Sequence, residues 1–272
     1  MSGGITVTGS AGADSMIGGD GNDRFVIGEG NDTVDGNLGT DTVSFAGRAI
    51  GVSITLNTGT AVTYTPTGGS AIGSIVDVEN LIGTSFNDTL TGDSAANSIS
   101  GGSGSDTING GTGADTLTGG DGADRFVFTA VGESRVTSTG SVDGVDRITD
   151  FTGGTDILQL PVAAAGTLNT GSTAANLSVN ATAVASTGTT IATLLTNLQT
   201  AATAQQAASA GLWAQAGDTM LVKITGASLA GTDVIYVVQN TAADNTVDDT
   251  DLIIALVGTS TQAATVATIV GP

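Results

Sequence analysis

Residues 101–127 are three consecutive nine-residue units, GGSGSDTIN, GGTGADTLT and GGDGADRFV. Each follows one pattern, Gly-Gly-x-Gly-x-Asp-x-U-x, where U is a large apolar residue. A period this short and strict marks a solenoid. Three glycines in six residues allow backbone angles that other residues resist, so positions one to six form a tight turn. Positions seven to nine, such as Thr107-Ile108-Asn109, make a short strand whose middle side chain points inward. A turn and a strand are half a coil, so two units, eighteen residues, close one coil of a flattened right-handed roll.

Units n and n+2 then stack on the same edge, about 4.8 Å apart. That places Asp106 directly below Asp124. Two carboxylates near 5 Å repel by roughly 1 kcal/mol in water, and several times more in a less polar groove. A row of them is tolerable only with cations between them. Carboxylates, together with the carbonyl oxygens that glycine turns aim into the same groove, are hard donors at flexible spacing and suit calcium. Magnesium demands a stricter octahedron and keeps its waters. The chain has no His and no Cys, which excludes zinc and copper sites of the usual kind.

The charge balance agrees. Across 272 residues, 26 acids against six bases give a formal net charge of −20, which repels nucleic acid and anionic membranes and attracts divalent cations. Aromatic content of 3% argues against a conventional aromatic core, and 42 glycines with three prolines fit a turn-dense solenoid. Without cysteines there are no disulfide staples, so bound ions would take that role. Residues Met1-Ser2-Gly3-Gly4-Ile5-Thr6 show neither a basic nor an apolar signal region, so no cleavable signal peptide is expected. No apolar run approaches the roughly 18 residues of a membrane span.

The chain is expected to divide into four parts. Residues 1–44 carry a first repeat block with units at 9–17, 18–26, 27–35 and 36–44, aspartates at 14, 23, 32 and 41, and inward residues Met16, Phe25, Val34 and Val43. Residues 45–82 break the period, since Asp41 to Asp88 is 47 residues, not a multiple of nine. The alternation in Gly51-Val52-Ser53-Ile54-Thr55-Leu56 reads as a half-buried strand. This part is expected to be wider β-coils or a hairpin continuing the same sheet. Residues 83–160 hold the second block, 83–127 in register, and a closing segment. There Asn97 stands in place of an aspartate, and the site using it should be weaker. The acids from Asp143 to Asp156 are read equally as a terminal site or as turn caps. Residues 161–272 shift to Ala, Thr and Ser. Ile191, Leu194, Leu195 and Leu198 have helical spacing, predicting a surface helix over 191–212. Met220–Ile224, Val234–Val238 and Leu252–Val257 read as buried strands, with Asp244, Asp248, Asp249 and Asp251 in the loop before the last.

On these motifs the chain resembles the RTX (repeats-in-toxin) proteins of Gram-negative bacteria, strongly over the two blocks and more loosely over Asp-Arg-Ile-Thr-Asp-Phe-Thr-Gly-Gly-Thr-Asp and the last strands. The Thr/Ala/Gly-rich, Lys-poor, Cys-free composition is most like the RTX S-layer proteins. The resemblance implies an all-β fold, a right-handed parallel β-roll, and export by a type I apparatus that reads an uncleaved C-terminal signal. It also implies a ligand set: positions two, four and six of one unit with positions one, three and six of the unit two later, only position six using its side chain. Carried onto this sequence, Asp14 pairs with Asp32, with carbonyls of Ser10, Gly12, Ile27 and Glu29. Asp23 pairs with Asp41, with Gly19, Gly21, Gly36 and Leu38. Asp88 pairs with Asp106, with Thr84, Phe86, Gly101 and Ser103. Asn97 pairs with Asp115, with Asp93, Ala95, Gly110 and Thr112. Asp106 pairs with Asp124, with Gly102, Gly104, Gly119 and Asp121. Ser10, Ile27, Thr84, Phe86 and Ala95 replace turn glycines and keep the carbonyls while altering the turns. At least five ions are therefore expected, which would move the formal charge from −20 to about −10.

The leading functional expectation is a non-enzymatic, calcium-folded extracellular protein of a surface layer or adhesion system. Its partners would be the type I secretion apparatus, copies of itself or a cell-surface polysaccharide, with no nucleic acid and no membrane span. A C-terminal carrier fragment of a larger toxin, adhesin or hydrolase is the alternative, because the repeats begin at residue 9 with almost no cap on the first coil. An enzyme in its own right is disfavoured: without His a serine lacks its base, and the sole lysine, Lys223, has no Ser-x-x-Lys context. Paired acids such as Asp248 and Asp249 could in principle serve glycoside hydrolysis, but adjacent loop acids are more often solvated or ion-binding.

Overall fold

The computed structural model describes residues 3–69, 72–130, 132–134, 145–152, 155–161, 219–224, 234–239, 252–257 and 269–270. Two compact units, 1–127 and 128–272, are described in turn. The described elements are all β. The helix expected over 191–212 and the acids Asp143 and Asp244–Asp251 lie outside the described residues.

In the first unit the strands are three to six residues long, as a nine-residue half-coil requires. They are β1 (Thr6–Thr8), β2 (Ser15–Ile17), β3 (Arg24–Val26), β4 (Thr33–Asp35), β5 (Thr42–Ser44), β6 (Val52–Thr55), β7 (Val62–Pro66), β8 (Gly73–Val76), β9 (Asn80–Ile82), β10 (Thr89–Thr91), β11 (Ser98–Ser103), β12 (Thr107–Asn109), β13 (Thr116–Asp121) and β14 (Arg125–Val127). Alternate strands stack into two sheets. One runs β1-β3-β5-β9-β11-β13, the other β2-β4-β8-β7-β6-β10-β12-β14. Within the blocks the pairing is parallel with an eighteen-residue offset, as in Phe25↔Val43 and Leu90↔Ile108. This is a parallel β-roll.

The roll's interior is a ladder of single side chains. Phe25, Val43, Leu81, Ile99 and Leu117 are register partners along one sheet. Met16, Val34 and Ile75, then Ile54, Leu90, Ile108 and Phe126, line the other. All are buried. Each contributes about 1.5–3 kcal/mol, but only one stands in every nine residues, so the core is thin for the length of chain it must order.

The break between blocks has a definite shape. After β5 the chain crosses to the second sheet and runs back and forth there as β6, β7 and β8, joined antiparallel, before crossing again to β9. Parallel stacking resumes on both sides: Val43 pairs with Leu81, and Ile54 with Leu90. One sheet therefore gains a single strand, β9, where the other gains three. This is why the period slips between Asp41 and Asp88. Tyr64 of β7 fills the widened interior, fully buried, with its ring 5.1 Å edge-on from Phe45.

In the second unit, β15 (Asp146–Ile148) pairs parallel with β19 (Leu252–Val257). β19 continues antiparallel to β18 (Val234–Gln239), and β18 to β17 (Thr219–Ile224). These three are the apolar runs read as strands. β16 (Ile157–Gln159) pairs with β20 (Ile269–Val270). Ile148, Leu158, Ile253, Ile254 and Ala255 are buried here.

Candidate metal centre

The turns on one edge of the first unit span 9–14, 27–32, 83–88, 101–106 and 119–124; those on the other span 18–23, 36–41, 77–79, 92–97 and 110–115. Five times along these edges, position six of one turn is bonded to position six of the turn two units later. The backbone N–H of Asp14 donates to Asp32 Oδ1 at 3.0 Å, that of Asp23 to Asp41 Oδ1 at 2.6 Å, and that of Asp88 to Asp106 Oδ1 at 2.8 Å. Asn97 donates to Asp115 Oδ1 at 2.8 Å and Asp106 to Asp124 Oδ1 at 2.9 Å. The five sequence-predicted pairs are therefore all brought together.

The second carboxylate oxygen distinguishes the turns. In the first turns of each block it accepts the N–H of position two of its own unit: Ser10 to Asp14 Oδ2, Gly19 to Asp23 Oδ2 and Thr84 to Asp88 Oδ2, each at 2.6 Å. In Asp32, Asp41 and Asp106, later members of their pairs, Oδ2 is buried and accepts no hydrogen bond. A buried carboxylate oxygen left unsatisfied costs free energy unless a cation faces it.

Glycine spacing shows what the turns leave room for. Gly102 sits at φ 112°, a left-handed value that favours glycine, and a Cβ there would meet the Thr84 carbonyl oxygen at 2.2 Å. Gly101 has no such φ; its need is space. A Cβ on Gly101 would lie 2.2 Å from Asp106 Oδ2 and 2.6 Å from the Gly119 carbonyl oxygen. A carboxylate and the position-one carbonyl of the unit two later thus converge on one small gap. The lower turns tolerate other residues at position two because their side chains cap the turn: Thr84 Oγ1 accepts the Phe86 N–H at 2.9 Å, and Asp93 Oδ1 the Ala95 N–H at 2.8 Å.

Electrostatics point the same way. Burial pushes the carboxyl groups of Asp32, Asp41 and Asp88 above the ordinary range. Asp106 rises to about 7, by burial first and then by the neighbouring Asp88 and Asp124. Asp23 is held low by the N–H groups of Gly19 and Ile5. Among the described residues no three acidic side chains gather closely enough to hold a metal alone. A site here must draw on backbone carbonyls, and such an all-oxygen set fits calcium.

Sequence reasoning missed the residues that end the columns. Glu79 Oε2 accepts the Asp41 N–H at 2.7 Å, the role an aspartate has elsewhere. Its signal was available: Glu79 is nine residues before Asp88. On the opposite edge the Asp32 N–H donates to the Tyr64 hydroxyl at 3.2 Å. Buried Arg48 donates from Nη1 to the Gly28 carbonyl at 2.6 Å, with Nη2 3.5 Å from Glu29 Oε2 and its guanidinium 5.7 Å from the Tyr64 ring centroid. A fixed positive charge thus sits where the coil lacks an aspartate; burial raises the Asp32 carboxyl, and the Asp14 amide first and then Arg48 oppose that rise. Asn97 turns Oδ1 to the Asp93 N–H at 2.9 Å and donates from Nδ2 to the Glu79 carbonyl at 2.7 Å. In the second unit Glu133, nine residues after Asp124, accepts the Thr129 N–H at 2.8 Å, and Asp156 the Thr152 N–H at 2.7 Å. Both repeat the position-two bond of the blocks.

Residues 8–43, 77–108 and 100–129, about a third of the chain, match the family model of the RTX calcium-binding nonapeptide repeat (4 copies). Among solved structures, the AlgE6R3 subunit of the Azotobacter vinelandii mannuronan C5-epimerase is similar at 22% identity and TM-score 0.41, over 71% of this chain and 77% of that one. The extracellular lipase LipA of Serratia marcescens is similar at 14% identity and TM-score 0.25, over 99% of this chain and 40% of that one. No curated protein matches the chain.

Proposed function

Because the chain carries RTX calcium-binding nonapeptide repeats over residues 8–43, 77–108 and 100–129, we propose that it is a calcium-folded extracellular structural protein. Its role is S-layer-like or adhesion-associated, and it leaves the cell unfolded through a type I export apparatus. The observation that carries the reading is the buried, unsatisfied Oδ2 of Asp32, Asp41 and Asp106. Five ions would be held by the pairs Asp14/Asp32, Asp23/Asp41, Asp88/Asp106, Asn97/Asp115 and Asp106/Asp124, with the turn carbonyls named above. A bound divalent ion supplies the positive charge that lets these carboxylates stay ionised in the closed turns.

The protein's own residues do the rest. The amide-to-Oδ1 bonds fix each carboxylate in line with the next coil, and the apolar ladder orders the strands between turns. With one inward side chain per half-coil and a formal charge of −20, the ion-free chain remains expanded. Extracellular modules bind calcium at about 10⁻⁴–10⁻³ M, so the turns stay empty in a low-calcium cytosol and fill outside. Folding then follows export. We read the chain as non-enzymatic, the ions being structural.

Circular dichroism and thermal melting with and without calcium test this. Above neutral pH, where the turn carboxylates are ionised, we expect a β-rich spectrum and a cooperative melt only with calcium. A β-rich, melting spectrum in excess chelator there would overturn the proposal. Light scattering separates the surface-layer role, in which calcium drives large assemblies, from a monomeric carrier.

A further inference from the structure

We propose that Asp41 and Glu79 share an additional calcium ion, outside the five pairs and at a turn that lacks the nonapeptide pattern. The inference rests on the calcium reading above. The turn between β8 and β9 has three residues, Asp77-Val78-Glu79, where the other turns on the same edge have six. It nevertheless stacks on the 36–41 turn as a full unit would. The Asp41 N–H donates to Glu79 Oε2 at 2.7 Å, and the Asp41 carbonyl accepts the N–H groups of Glu79 at 3.2 Å and Asn80 at 2.9 Å. The extra methylene of glutamate spans the distance the shortened turn has lost.

The gap is also preserved. A Cβ on Gly36 would lie 2.6 Å from Asp41 Oδ2 and 1.8 Å from the Asp77 carbonyl oxygen. The same construction at Gly101 meets Asp106 Oδ2 and the Gly119 carbonyl. Asp77 has φ 52°, the left-handed conformation that turn glycines hold elsewhere. Asp41 is fully buried and its Oδ2 accepts no hydrogen bond. A carboxylate oxygen, a facing carbonyl and a second carboxylate on the next strand along the sheet therefore recur here. The run ends at this ion, because Asn97 presents its Nδ2 hydrogens to the Glu79 carbonyl at 2.7 Å, where a cation would be repelled.

Bound calcium is counted by equilibrium dialysis at the free concentration that just saturates the natural chain. Glu79→Gln keeps an oxygen for the Asp41 amide and removes the charge, so it should bind one ion fewer, whereas a purely structural role predicts no loss. Asp41→Asn should lose two ions, its own pair with Asp23 and the one shared with Glu79. The double variant should also lose two, because the two residues share one ion. An unchanged count in Glu79→Gln, a loss of one in Asp41→Asn, or a loss of three in the double variant overturns the inference. If Glu79→Gln does not fold at saturating calcium by circular dichroism, the Asp41→Asn count, two or one, decides. A natural chain that binds no calcium would instead overturn the reading on which this one rests.

Discussion

Asp106 Oδ1 accepts the amide hydrogen of Asp88 at 2.8 Å, while its Oδ2, buried beside it, accepts none. Asp106 belongs to two pairs, with Asp88 below and Asp124 above. Asp106→Asn should therefore weaken two sites and Asp14→Asn, at the end of a run, only one. Ligand charge sets the affinity of oxygen-lined calcium sites, so we expect roughly tenfold more calcium at the folding midpoint for each site weakened. Calcium titrations followed by circular dichroism measure both midpoints; equal midpoints would contradict the shared role of Asp106.

The pH response of the ion-free chain follows from the raised carboxyl groups. Asp106 protonates at about 7 in the folded roll, against an ordinary value of about 3.9 in the unfolded chain. Its contribution to stability is fully present below the unfolded value and is lost as pH rises through about 7. Asp32, Asp41 and Asp88 act in the same direction. Asp23, held low, acts oppositely. In excess chelator the chain should thus gain β structure as pH falls from about 7 toward 4. With calcium present, protons compete, and more calcium should be needed at the acid end. A chelated spectrum unchanged over that range would refute the expectation.

Gly101→Ala places a methyl group 2.2 Å from Asp106 Oδ2 and 2.6 Å from the Gly119 carbonyl, inside the gap assigned to the Asp106/Asp124 ion. We expect one ion fewer by dialysis and a lower melting temperature in calcium. Gly132→Ala, which meets nothing within 4 Å, is the matched control and should change neither.

Tyr64→Phe removes the oxygen that accepts the Asp32 N–H and leaves a buried donor unsatisfied, at a cost of about 1–3 kcal/mol. Denaturant unfolding in saturating calcium should show that loss with the number of bound ions unchanged. A lost ion would mean that the tyrosine supports a metal turn rather than replacing one.

The roll and its column partners were legible because an eighteen-residue repeat fixes which side chains meet: Asp23 finds Asp41, and Phe25 finds Val43, by counting alone. Counting fails where the turn shortens. Glu79 lies in the period of the second block, but it stacks on Asp41, 38 residues earlier, and takes the place of an aspartate by virtue of its length. Tyr64 reaches the Asp32 amide from an antiparallel strand, and no period relates residues on opposite legs of a hairpin. Arg48 carries no motif; its meaning comes from the Gly28 carbonyl, the Glu29 carboxylate and the Tyr64 ring it meets. The two roles of glycine also read alike in sequence, although Gly102 answers to backbone angle and Gly101 to room.

Asn97 has two unlike ends, an oxygen toward its own turn and hydrogens toward Glu79, and on the far edge Arg48 and Tyr64 interrupt the file of acids as well. On the calcium reading, loading of one block would thereby be insulated from loading of the other. Falling calcium would then strip such a molecule in stages, so that one half stays furled while its neighbour lets go.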